Sequence, residues 1–196
     1  MKRGWTRSSL CVSVLAVGFL LASQPPTGSA QSAAPPKRAN ELTLAGLRPG
    51  KDTLADADAR YKKKFRRVEP DGRVVWADVC RKRTLELEPG EKDVIQSLTV
   101  SMLNPSGDCS GKLDDPLRTS LWKTGRGLKL GDPREHIIEL YGEPNSSGPS
   151  AKGGQELELL FYAFDWAGSD VPQVMEVSCE RATGRVVEIT LAFPSL

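Results

Sequence analysis

Five residues, Gly46-Leu47-Arg48-Pro49-Gly50, return 81 positions later as Gly127-Leu128-Lys129-Leu130-Gly131. Self-similarity at a spacing of this kind constrains the fold more than any single motif, because it implies one supersecondary unit made twice. Each copy opens a short helical pattern that gives way to alternating runs. In the first, Leu54, Ala57, Tyr61 and Phe65 recur at helical spacing after Asp52-Thr53. Asp56–Arg60 and Asp58–Lys62 there place an acid four residues before a base. In the second, Asp132 suits an N-cap, Pro133 the first helical position and Glu135 a capping box. Ile137, Ile138 and Tyr141 form its apolar stripe, Gly142 supplies a left-handed stop and Pro144 blocks continuation.

Residues 73–80, 84–88 and 93–102 read as strands after the first helix, with Pro89-Gly90 marking a hairpin. Residues 156–166, 174–180 and 185–193 follow the second helix, with Thr183-Gly184 in the corresponding place. Asp115-Pro116 starts a short helix through Leu121-Trp122. The expected fold class is α+β: two tandem repeats, each a helix plus a three-stranded antiparallel sheet. The expected organisation is a signal peptide over 1–30, a flexible leader over 31–40 and a first repeat over 41–107. A connector over 108–126 and a second repeat over 127–196 complete it.

The leader rests on its own pattern. Lys2, Arg3 and Arg7 precede an apolar run from Leu10 to Ala22, and small residues end at Gly28-Ser29-Ala30. This is the layout of a secretory signal peptide, with cleavage expected after Ala30. The run is shorter than the ~20 residues a transmembrane helix needs, and no later segment is as apolar. The expected location is therefore exported, periplasmic or secreted, with no transmembrane segment in the mature chain. Whole-chain charge is +2, from 27 basic and 25 acidic residues. Three of the basic residues belong to the leader, so the remainder is near neutral and nucleic acid is not an expected partner.

Cysteine usage follows from export. Cys11 lies in the leader, which leaves Cys80, Cys109 and Cys179 for one bridge and one leftover thiol. The favoured pair is Cys80–Cys109, within the half that carries less helix, and Cys109–Cys179 is the rival. No CxxC pair exists, so neither a thioredoxin-like motif nor a zinc ribbon is supported.

A Gly-x-x-x-Gly start, a capped helix ending in Tyr-Gly-x-Pro, an aromatic strand and a hairpin resemble the SmpA/OmlA (BamE) family. The residues that carry the resemblance are Gly127, Gly131, Tyr141-Gly142-Glu143-Pro144, Phe161-Tyr162 and Gly184-Arg185-Val186-Val187. Two such units in tandem are also similar in layout to the β-lactamase inhibitory protein. The resemblance implies BamE-like repeats forming a concave sheet and a role in binding other proteins. BamE proteins are lipoproteins, and this chain has no cysteine placed for lipidation.

Catalytic signals are sparse. His136 is the only histidine, which leaves no partner for an H-E-x-x-H zinc site, a Ser-His-Asp triad or a Cys-His pair. Asp114-Asp115 read as charge at a helix start. No phosphate-binding glycine loop is present, and no enzyme activity, cofactor or metal is expected. The basic run Lys62, Lys63, Lys64, Arg66 and Arg67 reads either as a solvated helix end or as a contact for anionic lipid or an acidic protein. The run 156–166 is apolar on both faces: Leu157, Leu159, Phe161 and Ala163 on one, Leu160, Tyr162, Phe164 and Trp166 on the other. Either the chain covers the second face itself or a partner does. Trp76, Tyr162, Phe164 and Trp166 are the candidate interface residues. The expected function is an exported, non-catalytic protein-binding module, an envelope assembly or scaffolding factor; the alternative is a secreted enzyme inhibitor using the aromatic sheet face.

Overall fold

Thr53 begins the first regular element. Its side chain accepts from the Asp56 N–H while the Asp56 carboxylate accepts from the Thr53 N–H, a complete capping box. Helix α1 runs Leu54–Tyr61 and stops at Lys62, where φ is 62°. The chain then passes through a single 3-10 turn, Lys63–Phe65, into strand β1, Arg66–Val68. Strands β2 (Val74–Asp78), β3 (Arg83–Pro89) and β4 (Ile95–Ser101) follow as a meander. Helix α2, Arg134–Tyr141, leads to β5 (Ser146–Lys152), β6 (Gln155–Phe164), β7 (Gln173–Glu180) and β8 (Val186–Ala192). The computed structural model describes residues 40–102, 119–164 and 173–193. The leader, its cleavage site, Cys109, Asp114-Asp115 and Trp166 lie outside the described residues.

All eight strands join one antiparallel sheet in the order β1-β2-β3-β4-β8-β7-β6-β5. This corrects the expectation of two tandem repeats, each a helix plus a three-stranded antiparallel sheet. The seam is β4 against β8, from Ser97 opposite Ala192 to Ser101 opposite Glu188. Both strands alternate apolar and polar residues in matching register, so each completes the other's ladder and neither is left as an edge. Each half also contributes a strand that apolar alternation does not reveal, β1 and β5, at the two outer edges.

The resemblance to BamE-like tandem repeats is overturned by this sheet. The short motifs behind it are turn and cap chemistry. Gly131 (φ 88°) and Gly142 (φ 75°) hold left-handed backbone before and after α2. Any chain turning at those places needs glycine there.

One row across the sheet reads Trp76, Leu85, Val100, Ile189, Val177 and Leu160, on β2, β3, β4, β8, β7 and β6. These residues form one core cluster with Ala57 and Tyr61 of α1 and with Ile137 and Tyr141 of α2. Leu44, Leu47, Trp122 and Leu128, from the two segments that precede the helices, fill the same layer. The segments also bridge each other, Leu44 to Thr124, and the Ala45 N–H donates to the Lys123 carbonyl at 3.0 Å. The core is therefore a single layer shared by both halves.

Aromatic rings set its two centres. Tyr61 lies 6.0 Å from Trp76 and 6.4 Å from Trp122, centroid to centroid. Tyr141 lies 5.8 Å from Tyr162 and 6.0 Å from Phe164. Such tilted pairs add to the area they bury.

Candidate functional site

Trp76, Tyr162 and Phe164 are all buried, at 0%, 0% and 1% exposure. The helices and the segments before them cover this aromatic face from within the chain. The Tyr162 hydroxyl donates to the Gly142 carbonyl at 3.0 Å, which ties β6 to the end of α2. These residues hold the layer together and are not at the surface of the chain.

The opposite face of the sheet has another character. Its central row reads Val75, Glu86, Thr99, Thr190, Glu176 and Phe161. None of the six belongs to the core cluster. Thr99 and Thr190 share a hydroxyl hydrogen bond of 2.9 Å across the β4–β8 seam. Glu86 is held by Arg73 at 2.6 Å, and Glu188, one row on, by Lys152 at 2.6 Å. Glu176, on β7 beyond them, is exposed.

Towards β6 this face turns apolar. Phe161, Ala163, Val174 and Ala192 are half-buried neighbours in register, from β6 through β7 to β8. Beside them lies a cavity of about 220 Å³ lined by Ser146, Ser147, Gly148, Pro149, Leu159 and Phe161. A second, of about 390 Å³, is lined by Ser147, Gly148, Pro149, Glu158 and Arg181. The first opens on the Phe161 face, where Ser146 and Gly148 of β5 stand opposite Phe161 and Leu159 and are too small to cover them; the second opens on the helix side, where Glu158 meets Arg134. The described part of that run, 156–164, thus has its two apolar faces for two reasons: Leu160, Tyr162 and Phe164 belong to the core, while Leu159 and Phe161 line a surface hollow. Phe161 is the aromatic residue of β6 that lies outside the core cluster. Its opposite parity to Tyr162 is readable in the sequence, but the side taken by the helices is not.

The basic run is divided. Arg66 pairs with Asp58 at 2.6 Å and Arg67 with Glu69 at 2.5 Å. Lys62, Lys63 and Lys64 are exposed, and Lys64 Nζ sits 4.9 Å from the Phe65 ring centre. Asp58 is thus engaged with Arg66, while Asp56 serves the capping box. The run forms a turn and an edge strand, where unpaired backbone is guarded against sheet-to-sheet pairing by cations.

Other polar groups are structural. Glu41 is 2% exposed, and five donors converge on its carboxylate. Oε1 accepts from the N–H groups of Leu42 (2.8 Å), Thr43 (2.9 Å) and Gly125 (3.1 Å). Oε2 accepts from the Arg126 N–H at 3.0 Å and the Tyr141 hydroxyl at 2.8 Å. Burial, reinforced by the neighbouring Glu41 charge, holds the Tyr141 hydroxyl well above the ordinary tyrosine range. Nothing in the sequence pattern singles out Glu41; its role depends on a turn 84 residues away. The His136 Nδ1–H donates to the Glu139 carboxylate at 3.1 Å on the outer side of α2. Among the described residues, no group of three or more His, Cys, Asp or Glu could hold a metal ion.

Cys179 is a free, buried thiol, which removes the rival Cys109–Cys179 bridge. Burial first, then Glu158, pushes its pKa up to about 11. Cys80 is disulfide-bonded, and no complete bridge lies within the described residues.

No family model matches the chain, and no curated protein matches it. Among solved structures it is similar to a cysteine-rich secretory protein from Staphylococcus aureus subsp. aureus Mu50. The TM-score is 0.46 and the identity 14%, over 80% of this chain and 47% of that one. The likeness therefore spans about half of that protein's length and assigns no family. No described helix is long and apolar enough to cross a membrane.

Proposed function

We propose that the chain is an exported protein-binding module, an envelope scaffolding or assembly factor that receives its partner on the outer face of the sheet around Phe161. The supporting observation is the asymmetry of the sheet. One face is filled by the chain's own helices, while the other combines hydroxyls and carboxylates with an apolar corner beside a hollow. An aromatic anchor within a polar surround is the usual composition of an energetic centre in a protein interface. The basic, apolar and small-residue succession of residues 1–30 supports export. The inhibitor alternative needs an exposed aromatic sheet face; Trp76, Tyr162 and Phe164 are core residues, so no specific observation among the described residues favours it.

A crosslinked pull-down of the tagged protein, from solubilised envelope and from medium, tests the reading. A stoichiometric membrane-protein partner that is lost in Phe161→Asp and kept in Tyr162→Phe is the expected result. Retention of that partner by Phe161→Asp, or recovery of the protein alone from both fractions, would refute it. The reading includes a Cys80–Cys109 bridge. Mass spectrometry of the unreduced protein is expected to show that linked peptide, and a Cys80–Cys11 peptide would contradict it.

A further inference from the structure

The β1 edge lies at the far side of the sheet from the Phe161 corner and has its own chemistry. Lys62, at φ 62°, turns the chain sharply out of α1. The three-residue turn that follows leaves Lys63, Lys64 and Phe65 exposed, the last at 38%. The Trp76 Nε1 lies 3.5 Å from the Lys62 carbonyl, so the turn is seated on the buried core. Register places a further cation nearby. Arg66 faces Trp76 and Asp78 faces Arg83, so the β2–β3 turn with exposed Lys82 sits at the same end of the sheet as Lys62–Phe65.

The kind of cation left available matters. Guanidinium forks are the groups that recognise carboxylates by directed, paired bonds. Here Arg66 and Arg67 are occupied by Asp58 and Glu69, at 2.6 and 2.5 Å. What remains is a set of lysines, mobile point charges, beside an exposed aromatic ring. That combination suits a diffuse field of negative charge over an apolar layer, in which cations meet headgroups and a ring enters the boundary. We propose that the edge from Lys62 to Phe65, with Lys82 beside it, docks the protein on an anionic phospholipid surface. Docking there leaves the Phe161 corner free, so this inference and the protein-binding reading stand or fall separately.

Vesicle flotation tests it, using protein recovered from cells expressing the full chain. The vesicles are phosphatidylglycerol with phosphatidylcholine, or phosphatidylcholine alone. Binding is expected to the anionic vesicles only and to fall steeply with added salt. Lys62→Gln/Lys63→Gln/Lys64→Gln is expected to weaken binding by about a hundredfold, at roughly fivefold for each lysine. Phe65→Ser is expected to weaken it while leaving the salt dependence unchanged. All four positions are exposed, and circular dichroism of each variant checks that the fold persists. Failure of the wild type to float with anionic vesicles overturns the proposal, as does equal flotation of the triple variant. Binding that ignores vesicles but needs the lysines to retain an acidic protein assigns the edge to protein instead, and also overturns it.

Discussion

Both halves of the molecule end a short helix in a tyrosine over an aromatic strand, yet they secure that tyrosine differently. Tyr61 is enclosed by Trp76 and Trp122, and its hydroxyl donates to the Ala45 backbone carbonyl. Tyr141 packs at a tilt against Tyr162 and Phe164, and its hydroxyl reaches the carboxylate of Glu41 and the hydroxyl of Thr124. Glu41 opens the first half in sequence, so the second tyrosine is tied across the molecule. The first centre is held by apolar enclosure and the second by a polar cross-tie. Together with the continuous β4–β8 ladder, this makes the halves mutually dependent.

The largest expected effect tests that dependence. Trp76→Ala removes a fully buried side chain from the first centre and is expected to cost about 3–5 kcal/mol. Cys179, in the second half, reports whether the loss is shared. Its thiol is buried, and its pKa is pushed up to about 11, so alkylation at neutral pH has to wait for opening of the structure. If one cooperative unit spans the sheet, Trp76→Ala is expected to speed Cys179 labelling by about a hundredfold or more, since each 1.4 kcal/mol is a factor of ten. Unchanged labelling, with the first half already melted, would show two independent units.

Removing the cross-tie comes next. Glu41→Gln keeps the shape but replaces one acceptor oxygen by an amide donor that faces N–H or O–H groups. A loss of about 2–3 kcal/mol is expected, the range for hydrogen bonds to a charged partner. Tyr141→Phe in the same background is expected to add less than it does alone, because its carboxylate partner has already been altered. Strict additivity of the two, read from urea midpoints, would show that Glu41 and Tyr141 do not act as one network.

What the sequence made legible follows the strength of its apolar alternation. Strands β2, β3, β4, β6, β7 and β8 are visible because residues such as Val187, Ile189 and Leu191 recur with period two. The edge strands were not legible for a physical reason. An edge has one free ladder side and is guarded by charge, glycine or proline. Arg66-Arg67 therefore reads as a helix end, and Ser146–Lys152, with Gly148 and Pro149, reads as a loop. Pairing of β4 with β8 was equally hidden, since alternation marks a strand but does not name its neighbour. The face of β6 that meets α2 depends on that pairing. For this reason Tyr162 and Phe164 read as surface anchors in the sequence, although Phe161 is the aromatic residue of β6 outside the core.

The helix starts provide the finest comparison and the smallest expected effect. Asp132-Pro133 reads as a better start for α2 than Thr53 does for α1, yet the structure reverses the order. Pro133 itself occupies the N-cap and makes no side-chain cap bond, while the Asp132 carboxylate turns back to the Lys129 N–H at 3.0 Å. The start of α2 is fixed by tertiary bonds instead: Arg134 N–H to the Gly184 carbonyl at 2.9 Å and Gly131 N–H to Val186 at 2.8 Å. Helix α1 has tertiary bonds of the same kind, Gly50 N–H to the Ile95 carbonyl at 2.7 Å and Ile95 N–H to the Asp52 carbonyl at 2.9 Å. It adds the Thr53–Asp56 capping box that α2 lacks, so Thr53→Ala is expected to cost about 1 kcal/mol. The Thr53 backbone N–H, then its hydroxyl, holds the Asp56 carboxyl below the usual aspartate range. A carboxyl depressed in the folded state stabilises the fold above its unfolded pKa, and that contribution disappears as the pH falls through the folded value. Wild type and Asp56→Asn are therefore expected to differ in thermal midpoint at neutral pH and to converge in acid, below the ordinary aspartate range. Asp132→Asn is expected to leave the midpoint unchanged at either pH, because the start of α2 rests on the β7–β8 hairpin. A cap-like, pH-dependent loss from Asp132→Asn would place both helices under the same local control.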